Sequence, residues 1–234
     1  MRVVLLSFLF VSSLLPKALA FTNADLIEGF NGVVFGSEYN ALPLSQIYVR
    51  KWTKPVRVFV EPGGSIRQRD QISRFLKSLP KRIENLRLNE VSRRSEANFF
   101  VFPVRRRSYS DTIRKKVYRN PNAVVRGRCI VRVRYSRRGI QQSQAVIVTD
   151  EGQFLFQRCM TEEILQGLGP LNDDPTLRHS IFNDRSKFSR FQTYDRIILN
   201  ALYDTRIQAG MSLNATSHIL PAVIRDTVRR LGKR

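Results

Sequence analysis

The sequence predicts an α+β fold in one domain: a mixed, twisted sheet with an early helix, then a helical C-terminal half. Three observations carry this expectation. Residues 55–60, 98–104, 128–135 and 144–149 are apolar or alternate with the two-residue period of strands. Residues 157–168, 192–204 and 212–231 carry helical periodicity instead, so strands come first and helices after them, the order of an α+β chain. At 234 residues, with 42% hydrophobic and 10% aromatic residues, the chain can bury a full core. That composition excludes a disordered, collagen-like or low-complexity protein. No internal repeat or linker divides residues 21–234.

The first twenty residues read as a signal peptide. Arg2 is a short positive region, Val3 to Leu15 is an apolar run, and Ala18-Leu19-Ala20 fits small-x-small cleavage. The run is too short to span the roughly 30 Å of a bilayer as a helix. The expectation is an exported protein, periplasmic or secreted, that starts near Phe21 and carries no transmembrane segment after processing.

The elements follow in order. Residues 23–36 form a helix, with Thr22 or Asn23 as its cap and Leu26, Ile27, Phe30, Val33 and Val34 on one face. The strand over 55–60 stops at Pro62-Gly63-Gly64. Ile72, Phe75, Leu76 and Leu79 mark an amphipathic helix over 66–79. Residues 98–104 are a second strand, and 105–122 are a basic excursion with no assigned structure. The strands at 128–135 and 144–149 flank Gly139 and pair as a hairpin. Three helices close the chain, with Pro221 at a start or a kink in the last.

Cys129 and Cys159 suit one disulfide in an oxidising compartment. Its closed loop of some thirty residues is worth about 3–4 kcal/mol in the chain-entropy account. Two buried free thiols are the alternative. With no C-x-x-C pair, a metal site on these cysteines is not expected.

The formal net charge is +21. Residues 50–139 hold 26 Lys and Arg against 6 Asp and Glu, so nearly all the excess lies there. Arg105, Arg106 and Arg107, then Arg114, Lys115 and Lys116, are the densest clusters, with Arg132, Arg134, Arg137 and Arg138 beyond them. Such a field favours anionic partners. Export argues against nucleic acid and leaves an anionic lipid or glycan surface, or an acidic protein. A solvated face that only keeps the chain soluble is the plain alternative.

Residues 159–173 read C-M-T-E-E-I-L-Q-G-L-G-P-L-N-D. On a helix Glu162 and Gln166 share a face, Glu163 is adjacent, and Gly169 ends the helix. Asn172 or Asp173 then returns to that face. This spacing resembles the zinc-protease motif of the metzincins, H-E-x-x-H-x-x-G-x-x-H. The resemblance puts Glu163 at the general-base position, Gly169 at the turn, and Glu162, Gln166 and Asn172 at the three ligand positions. None of the three is His. Ser180-Ile181-Phe182-Asn183 resembles the Met-containing turn under the metal, with Phe182 in the Met position; Met211 is a second candidate. Asp195 to Tyr203 is similar to the closing helix of the matrixin-type metzincins, D-x-x-x-x-x-x-L-Y. His179 and His218 lie outside the motif.

A closer resemblance covers most of residues 21–234. It is to a bacterial family known only as a domain of unknown function, some of whose members are described as lipoproteins. It rests on G-F-N-G-V-V-F-G-S-E-Y (29–39), the Lys51-Trp52 pair, C-x-x-E-E-I-L-Q-G-L-G-P-L-N-D, S-I-F-N-D (180–184) and L-Y-D-T-R-I-Q-A-G-M (202–211). The family pattern also places cysteines at these two positions, which supports the disulfide. This chain departs from the lipoprotein description, having no Cys at the cleavage site.

Gln166 and Asn172 offer neutral amide oxygens, which are poor zinc ligands, so no metal and no other cofactor is expected. Adjacent carboxylates at 162 and 163 call for a cation between them, an Arg or Ca²⁺. The resemblance implies a single metzincin-like domain over 21–234 with a degenerate motif, and the expected function is a non-catalytic binding protein of the bacterial envelope. Its cleft would hold a peptide, a partner protein or an anionic envelope component. The alternatives are a hydrolase of non-standard design with Glu163 as base, using a metal held by Glu162 and Asp173 or no metal at all, and a polyanion binder acting through its arginines.

Overall fold

The computed structural model describes residues 20–36 and 47–232. The signal peptide read over 1–20, Ala20 apart, lies outside the described residues, as do residues 37–39 of the first family segment. No helix among the described residues is long and apolar enough to cross a membrane.

The first helix, α1, spans Asn23–Phe35. The Thr22 backbone N–H donates to the Asp25 carboxylate at 2.7 Å, and the Asp25 N–H donates back to the Thr22 hydroxyl at 3.2 Å. This capping box fixes where the helix begins. Strand β1 (Val56–Val60) leads to α2 (Ile66–Arg82), which Ser65 and Gln68 cap in the same way. Strands β2 (Leu88–Glu90) and β3 (Phe99–Val104) follow. The chain then forms α3 (Arg106–Thr112), which runs on as a wider π turn over Ile113–Tyr118. Strands β4 (Cys129–Ser136) and β5 (Gly139–Val148) precede α4 (Gln153–Gln166), α5 (Thr193–Leu202), α6 (Leu213–Ser217) and α7 (Leu220–Leu231).

The five strands lie in the order β2-β1-β3-β5-β4. Three pairings are parallel and only β4–β5 is antiparallel, so the sheet is mixed and β4 is an edge. Side chains alternate across it. Phe99, Val101, Ala145 and Ile147 face the main core with α1, α2, α4, α5 and α7. Phe100, Phe102, Val146 and Val148 face a smaller core closed by Tyr109, Ile113 and Val117. Strand β3 is therefore covered on both sides, which is why F-F-V-F-P-V is continuously apolar.

The architecture is the α+β arrangement expected, with four differences of detail. Strand β2 is absent from the sequence reading, because three residues with one apolar side chain show no periodicity. In the basic stretch 105–122, where no structure was assigned, Arg106–Thr112 and Ile113–Tyr118 are helical. Strand β5 starts at Gly139, not near 144, and Arg137-Arg138 make a two-residue turn with Ser136 opposite Gly139. The last helix is two helices, because Pro221 lacks an N–H and sits in the first turn of α7.

One segment locks the two halves together. The Lys51 ammonium donates to the carbonyls of Leu202 at 3.0 Å and Asp204 at 3.1 Å, and also to that of Ile207. It thus satisfies carbonyls left open where α5 ends. Burial pushes its pKa down to about 8. The Trp52 indole donates to the Gly167 carbonyl at 3.0 Å, and the Tyr203 hydroxyl donates to that of Leu168 at 2.9 Å. The end of α4 and the end of α5 are thereby held against one strand of chain.

Candidate functional site

Helix α4 packs against β4 and β5. Its residues from Phe156 onward are buried except the half-buried Gln157, polar ones included: Arg158, Glu162, Glu163 and Gln166. These four line a cleft of about 660 Å³ between α4 and the edge strand. The facing side of β4 presents Cys129, Val131, Val133 and Tyr135, and Arg50, Arg126, Arg128, Asp173 and Asp184 line the cleft as well. Cys129 and Cys159 are joined, with their Cα atoms 5.7 Å apart. The disulfide therefore ties the edge strand to the helix inside the cleft, as the first of the two sequence readings had it.

Buried carboxylates side by side need a cation, and Arg158 supplies it. Its guanidinium donates to the Glu162 carboxylate at 3.1 Å, one helical turn away. It also donates to the carbonyls of Ile181 (3.3 Å), Asn183 (3.0 Å), Ser186 (3.2 Å) and Phe188 (3.0 Å), and to the Ser186 hydroxyl (3.1 Å). The exposed Asp184 carboxylate lies 3.7 Å away. One buried arginine thus neutralises Glu162 and holds the loop that follows the motif helix.

The ligand positions divide. Glu162 and Gln166 lie on the cleft together, and the Gln166 amide donates to Asp173 at 2.9 Å. Asn172 does not return to that face. Its side chain donates to the Gly32 carbonyl at 3.0 Å and its backbone N–H to that of Val33 at 3.2 Å, so it fastens the loop to the end of α1. Of the two residues considered for the return, the cleft receives Asp173. Glu163 lies on the cleft beside Glu162 and Cys129; one carboxylate oxygen from each Glu and the Cys sulfur fall within 4.8 Å of one another. Its charge, after burial, helps push the Tyr109 hydroxyl above its usual range.

Gly169 turns the chain with φ +142°, and a Cβ there would sit 2.2 Å from the Arg50 carbonyl oxygen. Only a residue without a side chain passes that point. Phe182 is fully buried in the main core. Its turn is held by Asp195, which accepts from the Ser180 hydroxyl at 2.6 Å and the Ile181 N–H at 3.1 Å. Burial pushes the Asp195 carboxyl up to about 7, although those hydrogen bonds pull the other way. Met211 belongs to a different turn, where its carbonyl accepts from the Val49 N–H. His179 lies in a separate depression with Asp25 and Tyr194.

The zinc that the metzincin resemblance implies does not fit these donors. Glu162 is paired with a fixed guanidinium, Gln166 is a neutral amide committed to Asp173, Asn172 points elsewhere, and the Cys129 sulfur is bonded to Cys159. Oxygens of Glu162, Asp173 and Asp184 do lie within 4.8 Å of one another, but the same Arg158 sits among them.

The basic clusters lie on the other face of the sheet. Arg105, Arg106 and Arg107 are exposed at the start of α3, and Lys115 and Lys116 at its far end. Arg106 donates to the Gly127 carbonyl at 2.9 Å, and Arg114 to that of Ala123 at 3.1 Å, so these two also brace the loop before β4. Lys115 pairs with Asp111 at 3.6 Å. The arginines at the cleft are Arg50, Arg126, Arg128, Arg132 and Arg158. Sequence reasoning passed over all but Arg132. For Arg158 a signal was present, since it stands four residues before Glu162 on the same helix.

A family model described as "Protein of unknown function (DUF2927)" matches residues 23–222. The chain belongs to this family. The span matched by the DUF2927 model contains every described residue that lines the cleft, and it ends just inside α7. The family description carries no activity. No curated protein and no solved structure matches the chain.

Proposed function

We propose that this protein is an exported component of the bacterial cell envelope, in which a metzincin-like scaffold serves as a binding cleft and not as a protease. The observation that carries the reading is Arg158. A buried guanidinium neutralises Glu162 from within the helix, at the position where the resemblance would have a metal ligand. Three further features support the scaffold: the motif helix entered from β5, the turn at Gly169, and a closing helix whose Asp195 and Tyr203 both hold the motif region.

The occupant is an extended peptide or a partner segment. Strand β4 is an edge, paired on one side with β5, and its other side borders the cleft. An edge strand offers main-chain donors and acceptors to an added strand. Val131, Val133 and Tyr135 give that strand an apolar surface, and the carboxylates of α4 face it. An anionic envelope surface would engage the opposite face, through Arg105, Arg107, Lys115 and Lys116.

The test is incubation of the mature chain with a library of unstructured peptides, read by mass spectrometry for cleavage and by hydrogen exchange for binding. The expected result is slowed exchange in 129–136 without new peptide termini. Cleavage that disappears in Glu163→Gln, with the fold intact, would replace this reading by a hydrolase with Glu163 as base.

A further inference from the structure

A second groove lies outside the cleft, between α2, the outer side of α4 and the loop that Arg158 holds. It encloses about 270 Å³. Its apolar surface is the half-buried Phe75 with the buried Met160 and Phe191. Arg74, Arg82 and Arg190 stand around it, and no acidic residue lines it among the described residues. Its back wall is fixed, because the Thr161 hydroxyl donates to the Ser189 carbonyl at 3.1 Å.

Arg82 is the central feature. Its guanidinium stacks on the Phe191 ring at 4.1 Å and donates to the Phe191 carbonyl at 2.9 Å. The charges that act on it are those of Arg196 and the buried Asp195. Burial, and then Arg196, hold Arg82 below the usual range of an arginine, and Asp195 offsets this only in part. The groove thus has surplus positive charge at a half-desolvated arginine, directly beside an apolar surface. Its volume is near the low end for small-molecule sites, about 300 Å³, so it admits one chain and not a bulky ring system.

We propose that this groove binds an anionic amphiphile: a single apolar chain against Phe75, Met160 and Phe191, with a carboxylate or phosphate head among Arg74, Arg82 and Arg190. The head supplies the counter-charge that Arg82 lacks, in the charge-assisted hydrogen bonding that guanidinium gives to carboxylate and phosphate.

The probes are decanoate and decyl phosphate, titrated calorimetrically into the mature protein, with decyltrimethylammonium as the cationic control. Arg74→Glu/Arg190→Glu reverses two exposed rim charges and leaves the half-buried Arg82 in place. Arg105→Glu/Arg107→Glu makes the same change in net charge on the far face. Saturable binding of both anions is expected. Arg74→Glu/Arg190→Glu should weaken it roughly tenfold to a hundredfold, the size of losing hydrogen bonds to a charged group. The far-face variant should leave it unchanged.

No binding of either anion up to its solubility limit would overturn the proposal. Equal weakening by the two variants, or equal binding of the cationic control, would do the same. A parallel titration with vesicles of phosphatidylglycerol and phosphatidylcholine identifies the source of the head group. Vesicle binding that falls with Arg74→Glu/Arg190→Glu, alongside decanoate binding, assigns the groove to a membrane lipid. Vesicle binding indifferent to that variant, with decanoate still bound, assigns it to a free single-chain amphiphile.

Discussion

Replacing Arg158 by Met tests the arrangement at the centre of the cleft. Arg158 is 7% exposed and Glu162 4%, so water can replace little of what either charge gives the other. Removing one partner of a buried ion pair costs about 3–5 kcal/mol, because the other charge is left uncompensated. Here the same change takes a donor from four carbonyls and one hydroxyl of the 181–188 loop. The cost of Arg158→Met should therefore reach the top of that range, about 5 kcal/mol. Glu162→Met keeps the loop contacts and leaves Asp184 as a distant partner at 3.7 Å, so it should cost less, about 3 kcal/mol. Combining the two removes both charges. What remains is the unsatisfied loop, roughly 1–3 kcal/mol. The double variant should thus be more stable than Arg158→Met alone. Urea unfolding of the disulfide-bonded protein measures all three, with unchanged slopes as the check that unfolding stays comparable. Additive losses would show that the pair does not organise the cleft. A double variant as stable as the parent would show that the guanidinium does not hold the loop.

Two other outcomes follow from the same geometry. Cys129→Ala/Cys159→Ala opens a cross-link with a sequence separation of 30, and should lower stability in urea by about 3–4 kcal/mol; a loss under about 1 kcal/mol would contradict the entropic account. Asp195 should give stability a pH dependence of unusual sign. Its folded pKa of about 7 lies above the ordinary 3.8, so the folded chain holds an extra proton between those values. The stabilisation present below 3.8 is lost as pH rises through about 7. Relative to Asp195→Asn, which cannot titrate, the parent should lose stability between pH 4 and 8 in urea melts; a relative gain would refute it.

The order of elements was legible because each main strand and helix carries its own periodicity. Two pieces were not. Strand β2 has only Leu88 turned inward, and its partner Val56 lies 32 residues away, so nothing local marks it. The helix α3 and its π turn do carry a mark: Tyr109, Ile113 and Val117, four apart, all bury. The density of arginine around them hid it. In the cleft, Glu162, Glu163 and Gln166 were legible since one helical face determines them. Arg50 and Arg126 come from distant segments and meet the cleft only through tertiary packing. Asn172 and Asp173 are adjacent and equally polar. Which one faces inward depends on Gly32 and Val33 of α1, and sequence spacing holds no record of that contact.

The sheet order bears on how the chain reaches its native state. Val56 meets Leu88, Val58 meets Phe99 and Phe99 meets Ser143 across parallel pairings, each closing a loop of thirty residues or more. Closure entropy is lost before such contacts return anything, so parallel pairings form slowly. Among the described strands, β4 and β5 alone meet through a two-residue turn. The Cys129–Cys159 bond begins at the first residue of β4 and ends midway along α4, so its loop contains that hairpin whole. The cross-link thus encloses the one pairing among the described strands whose closure is local. The β4 bank of the cleft is part of a unit that can assemble ahead of the carboxylate face it later packs against.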